Sequence, residues 1–279
     1  MAETFDEARN VDEIRTAIGR FGWGDNHLAG YAVAGDLAGS TSVWSLMSLV
    51  FGHRKLTDAE SSMLDDLAAS SALADPRIWP LKAGRIAASW GNPTAGFAAS
   101  VLAATGVAGP GTSRLCAQML LDLRSRLSAA EGVSLPTAVG ELLERNPRLP
   151  GFGVPLRPAD ERVLAFQQCV RVRQWPVGTY QLLVYDVEAE LSRRRKTAVN
   201  IGGLGIAVLL DLGFAADTAA VMMMLIIQPS FIGNAVEGAA QQAPVLRSLP
   251  HSALRYRGVA PRTSPRHRDA EHDDRTFRG

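Results

Sequence analysis

The sequence predicts an all-α protein. Alanine, leucine and arginine dominate, strictly alternating β-branched runs are scarce, and apolar residues recur three and four apart along most segments. Short Gly- and Pro-rich breaks separate these segments: Gly-Asn-Pro at 91–93, Gly-Pro-Gly at 109–111, Pro-Gly-Phe-Gly at 150–153 and Gly213.

The spacing predicts a first helix over Val43 to Val50. A second runs from Thr57 to Ser71, where Thr57 and Glu60 form a capping box ahead of an apolar run. Further helices are expected over Lys82 to Ser89, Ala95 to Thr105, Ser113 to Ala130, Leu135 to Glu144, Pro158 to Arg173 and Gly178 to Arg195. Ile201 to Leu212, Ala216 to Ile227 and, after a break, Phe231 to Gln241 complete the set. Connections this short imply a compact bundle. After about Pro261 the chain turns charged and polar, and residues 263–279 are expected to be a disordered tail. No fixed-period repeat or sustained heptad is present.

Composition narrows the function. With 47% hydrophobic and 20% charged residues the chain is globular, and its 29 basic against 28 acidic residues form no clustered basic face, which argues against nucleic acid. Two cysteines, Cys116 and Cys169, make neither a disulfide framework nor a zinc motif, and both are expected to be inert thiols in the core. The acidic start lacks a secretory pattern, so no export is expected and the cytoplasm is the expected location. Ala198 to Gly233 is the most apolar stretch, but Asp211 and Asp217 interrupt it, so buried helices rather than a membrane span are expected. No P-loop, dinucleotide fingerprint, zinc helix or Gly-x-Ser-x-Gly elbow occurs.

Several fragments, in constant order, resemble the citrate synthase superfamily. TAIG from Thr16, GYAVAGDLAG from Gly30 and LVFGHRKLTDAE from Leu49 resemble the opening of its short citryl-CoA lyase-like branch. FAASVLAAT from Phe97 resembles the helix before the first catalytic loop, and Gly109 to Thr112 stand where the family has Gly-Pro-x-His-Gly-Gly-Ala. PGFGVPLRPADER, from Pro150 to Arg162, stands where it has Gly-Phe-Gly-His-Arg followed by Asp-Pro-Arg. NIG from Asn200, LLDLGF from Leu209 and FIGNAVE from Phe231 resemble its Asn-Val-Asp segment and the two helices after it, and RYRGVAPR from Arg255 resembles its C-terminal strip.

The resemblance implies a large helical domain (residues 1–105 and 199–262), a small helical domain (about 106–198) and a two-fold dimer with the active site in the cleft. In that family a carboxylate deprotonates the methyl of acetyl-CoA, two histidines polarise the carbonyls, and arginines hold carboxylates. Carried over residue by residue, the first histidine falls on Thr112, the second on Val154 and the aspartate on Gly202. The two glycines after the first histidine become Ser113 and Arg114, and the arginine beside the second becomes Pro155. Arg162, Asn200, Arg262, Gly151 and Gly153 match the pattern.

Thr112, Ser113 and Asn200 are therefore the candidate catalytic residues, and Arg114, Arg162 and Arg262 the candidate substrate-binding residues. All but Arg262 have a plainer role beside this one. Thr112 and Ser113 suit the N-cap of a helix, Asn200 suits either the shaping of an active-site turn or the N-cap of the helix from Ile201, and Arg162 after Asp160 and Glu161 suits a solvated ion pair. Arg114 suits surface charge. His27, near Asp25, is a possible general base or a packing group; His53 suits a helix-terminating loop. Met222, Met223 and Met224 suit adaptable core or dimer packing. His267 and His272, with the acidic residues around them, suit solvated charge rather than a metal site, and no metal is expected.

Two functions remain open. One is a divergent enzyme that makes or cleaves a carbon–carbon bond next to an acyl-CoA or carrier thioester without the family's His/His/Asp set, with the CoA thioester as substrate and no cofactor. The other is an inactive homologue serving as one subunit of a mixed dimer. Expected partners are an acyl-CoA, a carboxylate-bearing small molecule and a second copy or homologue, with no nucleic acid and no membrane.

Overall fold

Local signals set most of the helix starts. The computed structural model describes residues 15–24, 26–105, 112–129, 132–155, 157–195, 197–241, 250–260 and 262. Among them lie eleven α-helices: α1 Val43–Val50, α2 Asp58–Ser71, α3 Trp79–Ala88, α4 Pro93–Ala104, α5 Thr112–Ser128, α6 Leu135–Arg145, α7 Glu161–Arg173, α8 Thr179–Arg195, α9 Ile201–Asp211, α10 Ala216–Ile226 and α11 Gln228–Ala240. All eleven predicted segments are helical. The Gly-Pro-Gly turn at 109–111 and the tail from 263 lie outside the described residues.

The capping box forms as expected: Thr57 Oγ1 accepts from Glu60 N–H at 3.2 Å, and the Glu60 carboxylate accepts from Thr57 N–H at 2.8 Å. Asn92, Ser134, Asp160 and Asn200 cap α4, α6, α7 and α9 by the side chain alone, each accepting one N–H of the first turn. Where boundaries differ from the prediction, proline or a cap explains it. Pro80 and Pro229 sit at second helical positions, so α3 and α11 begin at Trp79 and Gln228, each three residues ahead of the apolar run. Asp160 caps α7, which delays its start from Pro158 to Glu161.

One region carries elements for which the sequence pattern gave no expectation. Residues 19–32 form a small antiparallel sheet, β1 Gly19–Arg20, β2 His27–Leu28 and β3 Tyr31–Ala32, which leads into a π-helical turn over Val33–Leu37. Strands of two residues carry no alternation long enough to read, and Gly24 and Gly30, at φ +79° and +88°, mark the turns.

The core is organised around α9. Every residue from Ile201 to Leu210 except Gly202 is buried, and α5, α7, α8 and α10 pack on it. Asp211, which interrupts the apolar stretch, ends α9 by capping its neighbour: its carboxylate accepts from Tyr180 and Gln181 N–H of α8 at 2.8 and 3.0 Å. Met222 and Met223 are fully buried, and Met223 Sδ lies close enough to Gly205 that any β-carbon there would collide with it.

Helices α3, α4 and α11 pack closely on one another through small residues. A β-carbon on Gly84 of α3 would stand 1.9 Å from Ser100 Oγ and 2.9 Å from the Gly96 carbonyl oxygen of α4, so the backbones approach too closely for alanine. No described helix is long and apolar enough to cross a membrane; α10 and α11 pass that test only as a pair, and they are bent by 42° at Ile227.

The chain divides into two units, residues 1–243 and 244–279. In the second, the described residues hold one 3-10 turn over His251–Ala253 and a local bond from the Tyr256 hydroxyl to the Val259 carbonyl at 2.9 Å.

The α2 cap gives a pH-dependent prediction. The Arg54 guanidinium, aided by Thr57 and opposed by partial burial, holds the Glu60 carboxyl down at about 2. A carboxyl lowered on folding stabilises the native state above its ordinary value near 4.5 and loses that contribution as pH falls through the folded value. Glu60→Gln should flatten the acid side of a urea-stability profile below pH 5, and Thr57→Ala should lower stability by about 1 kcal/mol at neutral pH.

Candidate functional site

The site is built where the loop after α6 meets the start of α9. Gly151 and Gly153 take φ of +85° and +88°, which turns the loop sharply beneath the segment 197–200. Phe152 bridges Val199, Gly153 N–H donates to the Ala198 carbonyl at 2.7 Å, and Asn200 N–H donates to the Gly151 carbonyl at 3.0 Å. Gly151 and Gly203 touch: a β-carbon on Gly203 would lie 2.3 Å from the Gly151 oxygen, and one on Gly151 would lie 2.6 Å from Cys116 Sγ.

Asn200 caps the helix as expected and also ties the loop to it. Its Oδ1 accepts from Gly203 N–H at 3.0 Å to cap α9, and its Nδ2 donates to the Gly153 carbonyl at 2.9 Å to hold the loop. Two carboxylates add to this anchorage from other helices. Asp160 Oδ2 accepts from Ile201 N–H at 2.8 Å, and Glu188 Oε1 accepts from Val199 N–H at 2.9 Å.

Arg162 is not the solvated pair that its neighbours suggest. Its Nε and one Nη donate to the two Asp160 oxygens, both at 2.8 Å, and the Asp160 side chain is only 1% exposed. Burial by itself would raise the Asp160 carboxyl, but Arg162 and the Ile201 and Arg162 N–H groups outweigh it and hold the group below its ordinary value. Both oxygens are thus committed to Arg162, and one also grips the first turn of α9. Glu161 turns the other way and pairs with Arg157 at the surface.

On α5, Cys116 is buried against Gly151, and burial pushes its thiol up to about 12. Thr112 lies one turn earlier on the same helix face, and Ser113 is buried. Arg114 projects from another side and pairs with Asp217 at the start of α10, with both side chains more than half exposed. Val154, Asn200 and Gly202 are therefore gathered around one loop, whereas Thr112 opens α5 one turn before Cys116 and Arg114 belongs to a surface pair. Arg262 is exposed in the second unit.

Position 202 is half-buried and has limited room: a β-carbon there would meet only Asn200 Oδ1, at 3.1 Å. Its N–H is the uncommitted donor of the turn. Ile201 N–H goes to Asp160, Gly203 N–H to the Asn200 side chain and Leu204 N–H to the Asn200 carbonyl, while Gly202 N–H has no partner among the described residues.

A cavity of about 440 Å³ opens beside the loop. Leu143 of α6, Leu149 and Leu191 of α8 are its buried residues; Phe152, Gly153, Val154 and Thr197 form its walls, and Arg148 and Pro155 stand at the exposed rim. Arg148 was not singled out from the sequence, and only its place two residues before Pro150 and the glycine loop hints at it.

The remaining candidates lie elsewhere. His27 is on β2, where Nδ1 is 3.5 Å from an Arg20 Nη. His53 follows α1, packs against Phe214 with the rings tilted by 40° and their centroids 4.6 Å apart, and bonds the Leu212 carbonyl at 3.2 Å. Cys169 is half-buried rather than core. His267 and His272 lie outside the described residues, and no cluster of three metal-capable side chains occurs among those described.

No family model and no curated protein matches the sequence. Solved structures do match the fold. Citryl-CoA lyase from Hydrogenobacter thermophilus superposes with a TM-score of 0.72 at 24% identity, over 92% of this chain and 99% of that one. ATP citrate lyase from Methanosaeta concilii, solved with (3S)-citryl-CoA, gives 0.71 at 15% identity over 94% of this chain and 44% of its own. Citrate synthase from Thermoplasma acidophilum gives 0.56 at 18% identity over 81% and 59%. The chain thus has the citrate-synthase-like all-α fold that the sequence predicted. Within that fold its extent is that of a whole citryl-CoA lyase chain, and it spans less than half of the ATP citrate lyase chain.

Asp160 carries the site's main mechanical prediction. Asp160→Asn should leave the Arg162 charge unpaired and loosen α9 at Ile201, lowering stability by about 3–5 kcal/mol in a urea titration. Combined with Arg162→Ala, the two losses should fall well short of additivity.

Proposed function

We propose that this chain acts on an acyl-CoA or carrier thioester, making or cleaving the carbon–carbon bond next to it, without the histidines and aspartate of the family it resembles. The observation that carries this is the frame around Asn200. The loop, its two left-handed glycines, the cap of α9 and an adjoining cavity are all built, while by the sequence resemblance Thr112, Val154 and Gly202 take the positions of the family's acid–base groups.

The groups left at the frame suit charge stabilisation better than proton transfer. Gly202 N–H, uncommitted at the positive end of α9, is the donor this proposal assigns to a thioester oxygen as negative charge develops on it. Thr112 offers a hydroxyl, a much weaker acid than an imidazolium. Arg162 holds Asp160, and through it the first turn of α9, so its part is to position the frame. The proposal extends to a two-fold dimer, to the division into a large and a small helical domain near residues 106 and 198, and to a cytoplasmic location.

A specific observation favours a second function, that of an inactive subunit paired with a competent homologue: among the side chains lining the cavity, none is a carboxylate, imidazole or thiol. Such a subunit would show no turnover alone and would form a stable complex with a relative that keeps both histidines and the aspartate.

Calorimetric titration with CoA and acetyl-CoA, with and without citrate, should show saturable binding in the micromolar range; an absence of heat would remove the thioester proposal. The role of the Gly202 N–H is tested by Gly202→Pro. Proline already occupies the second helical position at Pro80, Pro136 and Pro229, so the fold should tolerate it at 202. The rate of carbon–carbon bond making or cleavage should then fall about 10²–10³-fold with the melting temperature little changed.

A further inference from the structure

We infer that the cavity beside the 149–155 loop takes a small organic acid bearing one carboxylate on an apolar chain, in preference to a di- or tricarboxylate. The inference deepens the thioester proposal by naming its acid partner. It rests on where charge and apolar surface stand in the cavity.

Leu143, Leu149 and Leu191 are buried at 9, 6 and 2% exposure, and Val154 covers a wall where an imidazole would be polar. Among the lining residues the sole charge is the guanidinium of Arg148, which is exposed at the rim. The Arg148 main-chain N–H donates to Asn146 Oδ1 at 3.0 Å, and its side chain has no ion-pair partner among the described residues. The other polar side chain lining the cavity is that of Thr197.

A ligand matched to this arrangement keeps one carboxylate at the rim, where a guanidinium can bind both oxygens, and sends an apolar chain toward the leucines. A second or third carboxylate carried past the rim would lose its hydration with no cation among the described lining residues to replace it. Arg162 cannot supply one, because its Nε and one Nη are held by Asp160 and its charge is balanced there. Arg114 is likewise balanced by Asp217. The cavity volume, about 440 Å³, lies within the range usual for small-molecule sites.

The test is calorimetry on the full chain with 4-methyl-2-oxopentanoate, oxaloacetate and citrate, with CoA titrated in parallel. The branched monocarboxylate should bind at least about tenfold more tightly than citrate, and Arg148→Ala should weaken it about tenfold or more. Pro155→Glu, which places a carboxylate on the same exposed rim, should also weaken it without lowering the melting temperature. Citrate or oxaloacetate binding as tightly as the monocarboxylate, or an Arg148→Ala variant of unchanged affinity, overturns the inference while CoA binding leaves the thioester proposal standing. Monocarboxylate binding without CoA binding supports the inference and removes that proposal; no binding of any acid overturns the inference.

Discussion

The first turn of α9 has to be held from outside, because a helix start leaves N–H groups unpaired and this one is almost wholly buried. Asp160, at the start of α7, takes the Ile201 N–H and is itself neutralised by Arg162, while Asn200 takes the Gly203 N–H and reaches across to the Gly153 carbonyl. Glu188 of α8 fixes the strand-like segment just before. Groups from two further helices and one loop thus converge on five residues, 199–203. The cavity is shaped by one side of the same loop, so its walls depend on these buried bonds as much as the core does.

Much of the fold was legible because helices announce themselves locally. Thr57 with Glu60, Asn92 before Pro93 and Ser134 before Leu135 are signals contained within a few residues, and the apolar spacing between them spans several turns. The hairpin at 19–32 was not legible, since its pairing joins residues across turns and each strand has too few residues to show a period.

The site was legible in part and for a different reason. The glycine loop and Asn200 stand in a recognisable order along the chain, but the partners they choose lie in space. Asp160 looked like half of a solvated pair because burial of a single carboxylate cannot be read from its neighbours; the structure places it at the heart of the anchorage. Arg114 looked equally promising in sequence, and only the approach of α10 shows that Asp217 neutralises it at the surface. Arg148 carries no local motif, and its importance comes from the leucines of α6 and α8 that happen to lie behind it.

The sulfur of Cys116 offers a way to watch this region move. It is wedged against Gly151, shut off from water and kept as the protonated thiol, so an alkylating reagent reaches it only when the loop lifts away from α5 and α9. Cys169, half-buried on α7, is the more accessible of the two thiols. The slower labelling rate would therefore measure how often the glycine crossing opens, and its retardation by a bound ligand would report how firmly that ligand clamps the loop shut.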